Sequence, residues 1–472
     1  MSDQLTWMPG WQLRDLMAKR EVSCAEVVDH FLDRIDQFNG VLRAFQEVDA
    51  ADARAQAKRA DEAVGAGDEL GPLHGIPTAV KSHIRVEGYL HSMGRTSERS
   101  RFDDLSVERL RKAGAIVFGT NRMMGAGGGG VPDRDQPGMF RPFNWDEEAL
   151  NPWDTTRVPG WSSSGGAAAA AAALLPVTIG SDGGGSTRLP AAYSGVVGLH
   201  TTRGLIPHVD YQKPTMMLTA SYGPLARSVR DVALFTQAMG GPDGRDYVCL
   251  QDPTPNCVES LDAGIEGMRL AWTDDFGFAS RYATEDSQRI IELVRDAARG
   301  LGELGASLEV TDEIWEDRAA SGTVGWVAEP SVYEAMVGTN LTPLTPPDFD
   351  NYRALAESRA RNWEHFRLFF QDHDVIMTVT AQRIAAKVDE WDRAWSVDGP
   401  KFPGGSFAPV YCSHTMIFNW LGFPAVSVPC GFIDGLPVGL QIASWPGRED
   451  KVLKVAQAFQ KAFPRSERPA IS

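Results

Sequence analysis

The sequence predicts an α/β protein: a single large domain spanning residues 1–472, with a central mixed β-sheet covered by helices on both faces. Three observations carry this. Short apolar runs alternate with stretches of helical period along most of the chain, which is how strands interleaved with helices read. No internal repeat, long linker or low-complexity tail divides it. With 43% hydrophobic and 23% charged residues, the composition is that of a globular enzyme with a large core. A helical subdomain inserted at about 245–370 is the one further unit the pattern allows.

The elements follow in order. Trp11 to Lys19 reads as a short helix. Ser23-Cys24-Ala25-Glu26 is a capping box opening a second helix. Val27, Val28, Phe31, Leu32 and Ile35 keep its helical period to about Phe38. Ala50 to Val64 is a polar, alanine-rich surface helix. Thr78-Ala79-Val80 is a strand ending on Lys81, Ser106 to Ala113 a helix, and Ala115 to Gly119 a strand. Residues 123–150, rich in Gly, Pro and aromatics without a period, form a long loop and a candidate substrate wall. The serine triplet Ser162-Ser163-Ser164 starts an alanine helix, and Leu174 to Gly180 is a buried strand. Gly195 to Ile206 is strand and turn, and Ser228 caps a helix to Met239. Strands at 270–272, 307–310, 375–380, 425–428 and 438–443 then alternate with helices at 284–303, 350–370 and 449–462.

Charge and cysteine usage narrow the function. The net charge of −16 argues against binding nucleic acid or an anionic membrane through the general field. Five cysteines, without a C-x-x-C, suggest neither a disulfide framework nor a zinc site, and buried free thiols are expected. The N-terminus shows no secretory pattern, and no apolar stretch is long enough for a transmembrane helix. A soluble, cytoplasmic protein is the expectation.

The stretch from Pro159 to Pro190 carries the chemistry. After the strand the backbone enters Gly183-Gly184-Gly185, whose N–H groups can converge on one point, and Ser186 follows. A hydroxyl beside such a nest is what acyl transfer needs, a nucleophile next to an oxyanion hole. Glycine loops also cradle phosphates, but the Gly-Lys-Ser/Thr ending and a clean G-x-G-x-x-G opening a helix are both missing. Lys81, at the end of an apolar strand, is either turned to solvent or a buried base. A Ser-His-Asp site competes, yet no G-x-S-x-G elbow exists, and His83 and His414 read as structural or pocket-lining.

Taken together these segments resemble the amidase signature family. The blocks are EVSCAEVVDHFLDRIDQFNGVLRAF near the N-terminus, GIPTAVK at 75–81, NPWD at 151–154 with PG at 159–160, and GSDGGGSTRLPAAYSGVVGLHTTRG at 180–204. GPLARSVRD at 223–231 and FPAVSVPCGFIDGLPVGLQI at 423–442 extend the likeness over nearly the whole chain. The resemblance implies that family's fold and its Ser–cis-Ser–Lys triad. Lys81 matches the lysine and Ser186 the nucleophile. Counting forward from Pro159-Gly160 makes Ser162 the middle serine; counting back from Gly165-Gly166 would choose Ser163, with the serine–serine spacing one short. Ser162 is preferred, preceded by a cis peptide bond. The amides of Gly183, Gly184, Gly185 and Ser186 would form the oxyanion hole.

The chain departs from the family pattern at several points. Trp161 stands where glycine is usual, Ser82 where aspartate follows the lysine, and Tyr193-Ser194 where Phe-Cys is common. Residues 378–380 lack a familiar proline, and the 123–150 loop is long. Met124, Ala126, Gly127, Trp161 and Tyr193 are the candidate pocket residues, and they favour an uncharged acyl group, apolar or aromatic. The expected activity is hydrolysis of a linear carboxylic amide without metal or organic cofactor. The expected partner is a small amide substrate, with a homodimer left open. The alternative is the A-type subunit of a glutamine-dependent amidotransferase, releasing ammonia for a partner; a non-catalytic nucleotide-binding protein is a distant third.

Overall fold

A computed structural model describes residues 2–93, 96–125, 143–208, 219–316, 349–394 and 411–471. The chain opens with α1 (Ser2–Trp7), α2 (Gly10–Ala18) and α3 (Cys24–Leu42). The capping box forms: Ser23 Oγ accepts from the Glu26 N–H at 3.1 Å, and the Glu26 carboxylate accepts from the Ser23 N–H at 2.8 Å. The helix buries the apolar stripe read from its period and continues past Phe38. Then come β1 (Phe45–Val48), α4 (Ala50–Ala66), β2 (Pro77–Lys81), the small hairpin β3 (Leu90–Met93) and β4 (Thr96–Arg99), α5 (Leu105–Lys112) and β5 (Ile116–Asn121).

The middle of the chain supplies α6 (Ser164–Ala171), β6 (Val177–Asp182), α7 (Arg188–Ser194), β7 (Val197–His200), β8 (Ser221–Ala226) and α8 (Val229–Met239). Beyond it lie β9 (Arg269–Trp272), α9 (Ser287–Arg299), β10 (Ser307–Val310), α10 (Phe349–Asp372), β11 (Val375–Val379) and α11 (Val388–Ala394). The chain closes with α12 (Met416–Leu421), β12 (Ala425–Ile433), β13 (Leu436–Ala443) and α13 (Glu449–Ala462).

Eleven strands form one mixed sheet in the order β1-β5-β2-β6-β8-β7-β12-β13-β11-β9-β10. β2 lies between β5 and β6 and is parallel to both. The strands from β6 through β11 pair antiparallel, and β11, β9 and β10 are again parallel. Residues 269–272 and 307–310, within the stretch where the pattern allows an inserted helical unit, add strands to this same sheet. Residues 317–348 lie outside the described residues.

Alternation along the strands sends side chains to two cores. Ala79, Ile116 and Phe118 pack with α3, α4 and α6 on one face, while Val80, Val117 and Ile179 join α5, α8, α9 and α13 on the other. Helices therefore cover both faces, as the α/β pattern requires. The alanine run has a clear use. Every residue of α6 is buried, and a Cβ on Gly165 would lie 2.3 Å from the Ala44 carbonyl oxygen and 2.7 Å from the Arg122 nitrogen. The serine segment is pressed directly onto neighbouring backbone, which only glycine at 165 permits. All five cysteines are buried and free. Among the described residues no helix is long and apolar enough to cross a membrane.

Candidate active site

The neighbouring parallel strands β2 and β6 end side by side at their carboxyl ends, where crevices in α/β proteins take ligands. β2 delivers Lys81 and β6 delivers Ser181 and Asp182. Lys81 is 2% exposed. Its Nζ donates to Ser162 Oγ at 2.6 Å, to Ser181 Oγ at 3.0 Å and to the Ser181 carbonyl at 3.5 Å. All three partners are neutral. Burial pulls the ammonium down from its ordinary 10.5 to about 7, and the Asp182 carboxylate acts against that pull. A lysine in this state is half deprotonated near neutral pH and can act as a base.

Each serine of the triplet has its own place. Ser162 reaches Lys81. Ser163 turns the other way: its hydroxyl donates to the Ser181 carbonyl at 3.0 Å and accepts from the Ser181 N–H at 3.3 Å. Its own N–H donates to the Ser186 carbonyl at 3.2 Å, which ties the two serine segments together. Ser164 begins α6. Of the two countings, the geometry therefore sets Ser162 beside the lysine. The expected cis bond is not present: no peptide bond among the described residues is cis. A non-proline cis bond costs about 3 kcal/mol, and here a trans bond already carries the Ser162 hydroxyl to Lys81. Ser186, half-buried, sits at the end of the glycine turn. Among the described residues no hydrogen bond joins its hydroxyl to that of Ser162.

The glycine turn is organised by Asp182, a residue that the motif pattern alone does not single out. Its carboxylate accepts from the N–H groups of Gly185 (2.6 Å), Thr187 (3.2 Å) and Arg188 (3.3 Å). It also accepts from Arg188 Nε at 2.9 Å and from Asn419 Nδ2 at 2.8 Å. Burial pushes this carboxyl up, but the Arg188 guanidinium and the hydrogen bonds outweigh it and hold it well below the usual carboxylate range. Arg188, fully buried, further donates to the Thr415 carbonyl, to Gln441 Oε1 and to Asn419 Oδ1. The expected set of oxyanion donors is corrected by this network. The Gly185 amide is committed to Asp182 and cannot serve an oxyanion, because one N–H cannot point both ways. No hydrogen bond commits the amides of Gly183, Gly184 or Ser186 among the described residues. Gly185 is needed for its backbone, with φ of +126°, and because a Cβ there would meet Thr415 Oγ1 at 2.5 Å.

An apolar wall flanks the turn. A Cβ on Gly184 would lie 2.7 Å from Met416 Cε, so Met416 borders the turn directly. Met416 packs with Leu189, Tyr193, Ala381, Ala385 and Cys412, and Trp161 closes against this group. The Trp161 ring also meets Trp391 at 5.6 Å and Tyr411 at 6.2 Å, both edge to face. Those two belong to a second cluster with Met124, Phe143 and Val158. Three of the five candidate pocket residues, Met124, Trp161 and Tyr193, thus line adjoining clusters; Ala126 and Gly127 lie outside the described residues. The loop's two ends are joined by Glu148, whose buried carboxylate accepts from the Gly125 N–H at 3.0 Å.

Neither His83 nor His414 is hydrogen-bonded to Lys81, Ser162 or Ser186 among the described residues, although burial, helped by the Lys81 charge, holds the His83 ring well below its ordinary value. His414 Nε2 bonds the Asp274 carbonyl at 3.0 Å and its Nδ1 the Ser413 hydroxyl at 3.2 Å. The His83 ring packs edge to face on Tyr222. Among the described residues no group of three or more His, Cys, Asp or Glu side chains is placed to hold a metal ion.

Comparison with known proteins agrees with this architecture. A family model described as Amidase matches residues 26–313 and 331–453. The chain is 31% identical over 500 residues to the A-type subunit of the glutamyl-tRNA(Gln) amidotransferase of Geobacillus kaustophilus, covering 96% of each. It is 28% identical over 492 residues to an acylamidase of Rhodococcus erythropolis, covering 99% of this chain and 98% of that one. Among solved structures, a bacterial aryl acylamidase of the amidase signature family superposes with a TM-score of 0.82 at 24% identity, over 97% of both chains. A peptide amidase from Stenotrophomonas maltophilia does so with 0.78 at 25% identity, over 98% of both.

Proposed function

This chain belongs to the amidase signature family, enzymes that act on amide C–N bonds, and from that premise we propose that it hydrolyses linear carboxylic amides through an acyl-enzyme on Ser186. The observation that carries the reading is Lys81: buried, bonded to neutral partners, drawn down to about 7, and 2.6 Å from Ser162. A serine hydroxyl is a weak nucleophile and needs such a base.

In the proposed sequence neutral Lys81 takes the Ser162 proton as Ser162 takes that of Ser186. Ser186 Oγ attacks the amide carbonyl, and its C–O bond forms as the carbonyl π-bond becomes an oxyanion. The amides of Gly183, Gly184 and Ser186 face that charge, each such donor being worth about 3 kcal/mol. The proton returns through Ser162 to the departing nitrogen as the C–N bond breaks. Water, deprotonated by the same route, then releases the acid. The substrate reading is an uncharged acyl group, apolar or aromatic, set against Trp161, Tyr193 and Met416. No metal or organic cofactor enters any step.

The test is covalent. A serine-directed fluorophosphonate should label Ser186, identified by peptide mass, and Ser186→Ala should lower amide turnover by at least about 10⁴-fold while the protein stays folded. Label on Ser162 or Ser163, or near-normal turnover of the variant, would overturn the assignment. The likeness to the A-type chain of an amidotransferase favours a second reading, ammonia release from glutamine for a partner. Hydrolysis of simple amides by the purified chain alone separates the two.

A further inference from the structure

We propose, resting on the hydrolase reading above, that Tyr193 and Arg383 form the far end of the acyl pocket and select amides whose apolar acyl chain carries an uncharged hydrogen-bond-accepting oxygen, such as a ketone carbonyl.

Tyr193 is 1% exposed, yet its hydroxyl has no hydrogen-bond partner. Buried polar groups are nearly always paired, and phenylalanine would fill the same apolar space without an orphaned hydroxyl. Its ring is part of the wall with Leu189, Met416 and Trp161 beside the glycine turn. Tyr193 lies seven positions after Ser186, near the C-terminal end of the helix that follows the nucleophile.

Arg383 lies four residues beyond the end of β11 and two after Ala381 of that wall. Its guanidinium carbon lies 4.5 Å above the Tyr411 ring, which in turn meets Trp161. Its Nε is buried and also has no partner. Burial pushes the Tyr193 phenol far up, and the Arg383 charge is the first to act against it, so the two groups share one field. Arg383 can only donate, and Tyr193 has a hydroxyl proton to give. The group that satisfies both is an acceptor. It is uncharged, because Glu390 already stands 3.7 Å from the Arg383 guanidinium and offsets its charge.

The experiment compares kcat/KM of the purified full chain for hexanamide, 5-oxohexanamide and the monoamide of glutaric acid, in wild type, Tyr193→Phe and Arg383→Ala, with thermal melting to verify folding. The expected result is a preference of at least about tenfold for 5-oxohexanamide over hexanamide in the wild type, as for sites built to bond a substrate oxygen. That ratio should fall to near one in both variants. Turnover without discrimination, a ratio retained in both variants, or a preference for the glutaric monoamide would overturn the inference alone. If none of the three amides is turned over and Ser186 resists the fluorophosphonate, the hydrolase reading fails, and this inference with it.

Discussion

At the scale of single residues, Lys81 sets the rate in the proposed mechanism and also bears on stability. Catalysis by that route needs its neutral form. With the folded value near 7, kcat/KM should rise with pH through a midpoint near 7 and level off above it. A profile flat across this range, with chemistry limiting, would remove lysine as the titrating base. Lys81→Met should lower turnover by on the order of 10³. The same change should stabilise the fold at low pH. Between about 7 and the ordinary 10.5 the unfolded chain holds a proton that the folded chain has released, so stability rises with pH across that window. The lysine's penalty is therefore fully present below pH 7, at about 1.4 kcal/mol per unit of displacement, and vanishes toward 10.5. The melting temperature of Lys81→Met should exceed that of wild type at pH 6, with the gap closing by pH 10. Trp161 works differently, by shape. Its indole fills space between the two aromatic clusters beside Ser162. Trp161→Gly should broaden the amides accepted, toward bulkier acyl groups, with the Lys81–Ser162 contact intact. An unchanged substrate profile would reduce the indole to packing.

At the scale of elements, the start of α6 is tied to the glycine turn by the Ser163 N–H, which donates to the Ser186 carbonyl at 3.2 Å. Gly165 lies where a Cβ would overlap backbone at Ala44 and Arg122, neither of which is a flexible tip that could move aside. Gly165→Ala should therefore destabilise by about 1–3 kcal/mol and displace Ser162, so that activity falls further than stability alone explains. A denaturant midpoint equal to wild type would contradict that packing. This unit is largely legible in the sequence because its chemistry is local: serines, alanines and glycines lie within one segment, and the strand ending on Lys81 leaves that lysine either in solvent or buried as a base. What the sequence hides is long-range. Asp182 and Arg188 flank the glycines, six residues apart, but their meaning comes from Thr415, Asn419 and Gln441, more than 200 residues away. The commitment of the Gly185 amide to Asp182 follows from that network, and no pattern of glycines could reveal it. β1 is hidden for a related reason. A four-residue strand, half polar, becomes one only by pairing with β5.

At the scale of the whole molecule, the sheet folds both ends of the chain around one site. The C-terminal hairpin β12–β13 does not sit at an edge but enters the middle of the sheet between β7 and β11, and the segment just before it carries Met416 and Asn419 to the glycine turn. The apolar wall beside the turn is thus assembled from distant segments, and its character is a property of the assembled chain. That character bears on the choice between an independent hydrolase and one component of a glutamine-dependent complex. Glutamine would bring an ammonium and a carboxylate into the acyl side of the pocket. The apolar wall beside the glycine turn is Leu189, Tyr193, Ala381, Ala385, Cys412, Met416 and Trp161, and in our proposal Arg383, its charge offset by Glu390, lies beyond it. None of the residues of the apolar wall carries a carboxylate, and a charge moved from water against them without a partner is strongly disfavoured. For the purified chain without any added protein, kcat/KM for glutamine should therefore lie at least about 100-fold below that for hexanamide, ammonia release being measured for both. Glutamine turned over as well as hexanamide would show that the wall takes a zwitterion after all, and the amidotransferase reading would then displace the hydrolase one.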